Sequence, residues 1–296
     1  MCCVALAIAV VFLSVLLKKS KAKTRAALRA RDRYGLKDSD RELIDAIELG
    51  MKNDEFKMYL QFIVDNKTGR ITSAEALSRW ERADGEIVFP GKYIPVMEKA
   101  GLITKLDYYM LDKACKRLSL WDGTEFGDYS ISCNFTRSTI SEEDFVSKLK
   151  DITDEYSFDR AKLIVEITED SIERNLDVAI KNILRVKELG FSIALDDMGS
   201  GYTSLVNLCE YPIDIVKIDR EILLMANGAR GKKLFYGIIS LAHYLNLKVV
   251  CEGVETEEQN ALVNESDCDF IQGWYYSKGL FEENAESFAR EYMSRA

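Results

Sequence analysis

The stretch Phe191-Ser192-Ile193-Ala194-Leu195-Asp196-Asp197-Met198-Gly199-Ser200-Gly201-Tyr202 decides the fold. An apolar run of strand length ends in two adjacent carboxylates and passes at once into a glycine-bearing segment. Side chains alternate faces along a strand, so Asp196 shares a face with the small Ser192 and Ala194, while Ile193 and Leu195 take the other. Asp197 joins Asp196 at one site only if the strand ends there, and Gly199 and Gly201 permit the backbone of a sharp turn. An isolated Asp-Asp pair reads more simply as a solvated loop start or a helix cap. Its meaning therefore depends on whether other polar groups converge on it.

Outward from this stretch, the same rhythm recurs. From residue 41 onward the strand candidates are 57–64, 74–80, 129–135, 163–167, 192–196, 215–218, 248–251 and 270–274, and helical patterns cover 106–118, 142–156, 177–189, 232–245 and 257–263. Eight strands alternating with helices predict an α/β fold, a closed (β/α)8 barrel of the TIM type, with an open doubly wound sheet as the alternative. No phosphate-cradling GxGxxG or P-loop is present in the sequence.

Polar residues stand at or near the ends of successive strand candidates: Glu75, Asn134, Glu166, Asp196 with Asp197, Lys217 with Asp219, Glu252 and Gln272. In a barrel those ends surround one mouth. Charged groups are seldom set on apolar strands without partners, so the series predicts a convergent site. Carboxylates and an amide, without histidine or thiolate, suit a hard divalent ion such as Mg2+ or Mn2+. Two such ions sharing a bridging aspartate would stabilise the attacking and leaving oxygens of a displacement at phosphorus.

Composition narrows the rest. A chain of 296 residues that is 47% hydrophobic can bury one large core. Seven cysteines without CxxC spacing read as buried reduced thiols, and the lone His243 excludes a histidine-rich metal site. Residues 1–17 are uncharged and nearly all apolar, at the short end of the roughly 17–25 needed for a transmembrane helix. Positive charge follows the run instead of preceding it, so the expectation is an uncleaved single-pass anchor, 1–17, with a basic juxtamembrane linker, 18–39, and a catalytic barrel, 40–296. This places the protein at the inner or cytoplasmic membrane with its barrel in the cytoplasm. The linker carries a surplus of +7, so the overall charge of -9 leaves -16 on the remainder. So acidic a body is a poor surface for a DNA or RNA duplex.

Taken in order, these residues resemble the EAL-domain family of cyclic-di-GMP phosphodiesterases over roughly residues 40–292. The segment Glu75-Ala76-Leu77, with Arg79-Trp80, is similar to the motif that names the family. The resemblance continues through Asn134, Val165-Glu166-Ile167-Thr168-Glu169, Leu195-Asp196-Asp197, Val216-Lys217-Ile218-Asp219, Glu252-Gly253-Val254-Glu255-Thr256 and Gln272-Gly273. It implies hydrolysis of cyclic di-GMP to linear pGpG with Mg2+ or Mn2+, two per site. One ion would be held by Glu75, Asn134, Glu166 and Asp196, the other by Asp196, Asp197 and Glu252, with Asp196 as the bridge. It also implies catalytic work by Lys217, Glu75, Glu252 and Gln272, and substrate contacts from Gln61 and Arg79. Glu169 would anchor the loop 197–205, through which a homodimer would form.

A lysine among carboxylates keeps its charge, which favours orienting the attacking water over deprotonating it. Asp219 reads either as support for Lys217 or as a strand-end residue. The sequence departs from the family pattern at Met198, where phenylalanine is commoner, and at Phe62 and Gly279, where proline is usual; the last two are expected to loosen the backbone near the mouth. A non-catalytic cyclic-di-GMP receptor is the alternative reading. On the residues alone, a Mg2+-dependent lyase or isomerase using Lys217 also stays open.

Overall fold

A tight reversal after Asp65 sets the topology. Its carboxylate accepts hydrogen bonds from the backbone N–H groups of Lys67 (3.1 Å) and Thr68 (2.7 Å), and Gly69 follows with φ +66°. Such a short connection joins antiparallel strands only, because a parallel crossover needs a dozen residues or more. The structure, a computed structural model, describes residues 37–168, 176–198, 208 and 211–295.

Its strands are β1 (Phe56–Asp65), β2 (Ile71–Glu81), β3 (Ile87–Val88), β4 (Ser130–Phe135), β5 (Leu163–Thr168), β6 (Ser192–Met198), β7 (Ile215–Ile218), β8 (Lys248–Cys251), β9 (Phe270–Gln272) and β10 (Leu280–Phe281). Eight of them close a ring in the order β1-β2-β4-β5-β6-β7-β8-β9, with β3 and β10 as short additions beside β2 and β1. From β2 to β9 the neighbours in the ring are parallel, whereas β1 runs antiparallel to both β2 and β9. The expected barrel is present, with its first unit a hairpin instead of a βα repeat.

The expected helical patterns correspond to helices Ile103–Trp121, Phe145–Thr153, Leu176–Glu188, Ala229–Tyr244 and Glu257–Asn264. Helices Asp38–Lys52, Pro90–Ala100, Arg137–Ile140, Arg220–Met225 and Glu282–Arg295 add to them. The first begins just ahead of the expected domain boundary.

The main core lies between the ring and its helices, where outward-facing strand residues such as Met58, Leu60, Val165, Ile193 and Val249 are fully or almost fully buried. Phe62 belongs to this layer. It pairs with Ala74 across the hairpin and stacks on Phe288 (5.8 Å between ring centroids), so it strengthens the outer wall and does not loosen the mouth. Gly279 lies near Leu77 and Arg79 with room for a Cβ, the nearest atom being 3.5 Å away.

Cys115, Cys133, Cys251 and Cys268 are buried free thiols, as the composition predicts. Residues 1–36, and with them the proposed anchor and most of the linker, lie outside the described residues, as do Glu169 and the loop after Met198. Among the described residues no helix is long and apolar enough to cross a membrane.

Candidate active site

β6 departs from the regularity that its sequence suggests. Ala194 and Leu195 pair with Ile215 and Val216, but Met198 pairs with Ile218, so β6 carries one extra residue opposite Lys217. The strand does not end at Asp196; it runs through Met198, and a bulge replaces the expected terminus. Within it Asp197 has φ +58°, a left-handed conformation that aspartate tolerates better than most residues. The irregularity lets successive carboxylates share one site where strict alternation would separate them.

Lys217 is the centre of the mouth. Its ammonium lies 3.3 Å from Glu75 Oε2, 2.7 Å from Glu252 Oε1 and 3.3 Å from Asp196 Oδ1, and it donates to Glu166 Oε1. Gln272 Nε2 donates to Glu75 Oε2 (2.6 Å), and Asn134 Nδ2 to Glu75 Oε1 (2.8 Å), leaving the Asn134 carbonyl oxygen available to a cation. Gln61, opposite Glu75 in the hairpin register, accepts from Gln272 (3.4 Å) and donates to the Ser277 carbonyl (3.1 Å). Two glycines let the surrounding loops close in. Gly253 has φ +68°, and a Cβ on Gly273 would come within 2.0 Å of the Val254 carbonyl.

Carboxylate oxygens of Glu75, Glu166 and Glu252 lie within 4.8 Å of one another, and so do those of Asp196, Asp197 and Glu252. Glu252 is common to both sets; Asp196 meets the first through Lys217. The buried Glu166 Oε2 and Gln272 Oε1 accept no hydrogen bond among the described residues. Unsatisfied buried acceptors and an all-oxygen donor set fit a hard divalent cation.

The electrostatics agree. Burial, with Asp196 next to it, raises the Asp197 carboxyl to about 6, and burial raises Glu252 to about 8 despite Lys217. Burial together with Glu75 and Asp196 holds Glu166 well above the ordinary range. Glu75 goes the other way, because Lys217 and the Gln272 and Asn134 hydrogen bonds outweigh its burial. Burial would neutralise Lys217, but Glu166, Glu252 and Glu75 overcome it and keep the ammonium charged. As an ammonium it donates hydrogen bonds and has no lone pair with which to take a proton.

Arg79 stands apart from this cluster. Its guanidinium lies 5.7 Å from the Tyr59 ring centroid and 5.2 Å from that of Phe89, and it donates to the Ser78 carbonyl (2.8 Å). Asp219 does not contact Lys217; its side chain caps helix Arg220–Met225 by accepting from Glu221 N (2.7 Å).

Sequence reasoning missed a cavity of about 700 Å3 beside the mouth, lined by Leu77 and Asn134 together with Ile94, Glu98, Leu106 and Asp107. Asp107 is almost wholly buried, and it accepts from Thr136 N (2.9 Å), Thr136 Oγ1 (2.8 Å) and Thr139 Oγ1 (2.5 Å), fixing the chain just after Asn134. Burial lifts its carboxyl to about 6. Nothing in the spacing of an amphipathic helix marks which of its residues will border a pocket.

The barrel mouth gathers buried carboxylates around one lysine, a donor set that suits a hard divalent cation. The chain belongs to the EAL-domain family, whose model matches residues 41–279. It is 32% identical over 246 residues to the signaling protein YkoW of Bacillus subtilis, covering 83% of this chain and 31% of that one. It is 31% identical over 252 residues to the cyclic di-GMP phosphodiesterase NbdA of Pseudomonas aeruginosa, covering 85% of this chain and 32% of NbdA. The chain thus spans about a third of the length of these curated relatives. Among solved structures, the PaMucR phosphodiesterase in its c-di-GMP complex superposes with a TM-score of 0.78 at 28% identity, covering 82% of this chain and 99% of that one.

Proposed function

We propose that this chain hydrolyses cyclic di-GMP to linear pGpG, lowering that second messenger beside a membrane. The observation that carries the reading is the convergence of Glu75, Glu166, Asp196 and Glu252 on Lys217 at the mouth of an EAL-domain barrel. The name of NbdA and the ligand in the PaMucR complex support the choice of substrate.

Glu75, Asn134, Glu166 and Asp196 would hold one Mg2+ or Mn2+, and Asp196, Asp197 and Glu252 the other. Bound there, the ions would neutralise charge developing on the phosphoryl oxygens and lower the pKa of water. Lys217, kept charged by its neighbours, orients the incoming water from beneath. Gln272 donates to both Glu75 and Gln61 and so holds Glu75 in place, while Gln61, which donates to the Ser277 carbonyl, would meet the substrate. Arg79 offers remaining guanidinium N–H groups, a geometry suited to a phosphate. The water oxygen bonds to phosphorus as the P–O bond to the 3′ oxygen breaks, and the proton the water gives up is balanced by the one the departing 3′ oxygen takes on.

The full chain incubated with cyclic di-GMP and either ion should accumulate pGpG, and Glu75→Ala should slow it by about 10²-fold or more. No product with either ion sinks the proposal, and ligand binding without turnover makes the chain a receptor. The apolar run 1–17 supports a membrane anchor, and the loop after Asp197 a homodimer. Membrane pelleting that survives deletion of 1–17 would count against the first, and a fully active monomer in light scattering against the second.

A further inference from the structure

Lys217 and Glu252 meet at the mouth, and three residues further along each segment a second pair of opposite charges meets as well. Arg220 Nη1 and Nη2 donate to Glu255 Oε1 (2.8 Å) and Oε2 (2.6 Å), two bonds between one guanidinium and one carboxylate. Segments 217–220 and 252–255 are therefore joined at both ends, by a buried ammonium at one and a guanidinium fork at the other.

The turn that carries Glu252 is shaped around this second joint. β8 stops at Cys251, and Glu252 adds one more bond to β7, from its N–H to the Ile218 carbonyl (3.0 Å). Gly253 then turns the chain in the left-handed region, at φ +68°. A Cβ there would lie 2.6 Å from both Cβ and Cγ of Arg220, so the stem of the arginine rests directly on the glycine. Val254 N donates to the Gln272 carbonyl (3.2 Å) and Tyr275 N to the Val254 carbonyl (3.0 Å), tying the same turn to β9 and the residues after it. Arg220 is aimed by its neighbour, since Asp219 caps the helix that Arg220 opens. With side chains 47% and 25% exposed, the Arg220–Glu255 pair adds little to stability. What a bidentate fork supplies is a fixed orientation, which a lone ammonium does not.

We propose that Arg220 and Glu255 are positioning residues for Glu252, the carboxylate common to both candidate cation sets. The inference rests on the metal-dependent hydrolysis proposed above. The Lys217–Glu252 contact is a single point, which leaves the turn free to tilt about it. The fork three residues on removes that freedom and holds the Glu252 carboxylate within reach of Glu75 and Glu166 in one set and of Asp196 and Asp197 in the other. Groups that orient a metal's ligands without touching the metal are commonly worth about 10–100-fold in affinity or activity.

Calorimetry of Mn2+ binding to the metal-free full chain tests this through Arg220→Ala, Glu255→Ala and the double variant. Removing a positive charge near an acidic site should by Coulomb attraction alone tighten cation binding. Loss of the fork predicts the opposite for Arg220→Ala: Mn2+ affinity about ten-fold weaker, kcat lower by a similar factor, and KM for cyclic di-GMP nearly unchanged. The unfolding temperature without metal should stay close to that of the wild type. Glu255→Ala should match it, and the double variant should be no weaker than either single one, because each substitution removes the same fork. Unchanged or tighter Mn2+ binding by Arg220→Ala, or a double variant whose loss is the product of the two single losses, overturns the proposal. If Arg220→Ala does not fold, Arg220→Lys takes its place, since it keeps the charge and loses the fork; full Mn2+ affinity in that variant would equally overturn the proposal. A wild type that binds Mn2+ and leaves cyclic di-GMP intact would instead refute the functional reading, and the Mn2+ affinities would still decide the role of the fork.

Discussion

β6 begins with Ser192 and Ala194 and finishes with Asp196 and Asp197; β4 begins with Ser130 and Ser132 and finishes with Asn134. The amino ends of these strands carry neutral hydroxyls around a cavity, and the carboxyl ends carry charge packed around an ammonium. Both ends are polar, yet their demands differ. A hydroxyl is satisfied by one water, whereas a buried carboxylate needs a counter-charge or a proton. The comparison shows how one barrel tolerates a reactive end: the buried carboxylates sit where Lys217 reaches them, while the opposite end has neutral hydroxyls inside and carries its charges, Lys248 and the Lys187-paired Asp214, at the rim.

The largest effect should come from removing the charge that holds the mouth together. In Lys217→Met, Glu75, Glu166, Asp196 and Glu252 lose their shared partner, and hydrolysis should fall by about 10³-fold or more. Breaking a buried ion network by deleting one member also costs about 3–5 kcal/mol. Thermal unfolding without divalent ions should show that loss, and Mn2+ should recover part of it by taking over the counter-charge. Near-normal turnover in this variant would mean that the mouth does not depend on its lysine, and the contrast between the two ends would collapse.

A smaller effect follows from the protons held at the mouth. At pH 7 the metal-free Glu252, at about 8, is mostly protonated, and Asp197, at about 6, is protonated in part. A cation binds the ionised forms, so binding releases protons, and metal affinity should fall as the pH drops from 8 towards 6, by up to about ten-fold per unit for each proton displaced. Calorimetry of Mn2+ binding in two buffers of different ionisation enthalpy counts those protons. Ser132→Ala, at the other end of the barrel, should leave the count unchanged. A count of zero at pH 7 would contradict the raised carboxyls.

Much of this was legible in the chain itself. Apolar runs marked all eight ring strands, with 215–218 and 248–251 matching to the residue, because a buried strand must be apolar whatever surrounds it. The polar residues at or near the ends of most of those runs pointed to the mouth for the converse reason: charge there needs company. The reversal of β1 was less visible, although Asp65-Asn66-Lys67-Thr68-Gly69 carries the signature of a tight turn. The cavity beyond Ser132 was not legible, since a serine on a strand reads equally well as solvent-facing until closure of the ring places it inside. The position of Asp197 was hidden too. The sequence brought it to the site only by ending the strand at Asp196, because an extra residue in one strand becomes visible only against its partner's register.

That bulge gives the smallest and most local test. Asp197→Gly and Asp197→Ala both remove the carboxylate and should weaken metal binding alike. They differ in the backbone: glycine adopts φ +58° without strain, and alanine pays about 1 kcal/mol or more to do so. Thermal unfolding without metal should therefore rank Asp197→Gly above Asp197→Ala, against the usual ordering in which alanine stabilises by restricting the unfolded chain. If alanine proves equal or better, the left-handed turn is not what the strand requires. The convergence of Asp196 and Asp197 would then have to come from the residues after Met198 and not from β6. With the predicted ranking, the irregular backbone belongs to the charged end of the strand alone, and Ser192 and Ala194 keep plain alternation at the other.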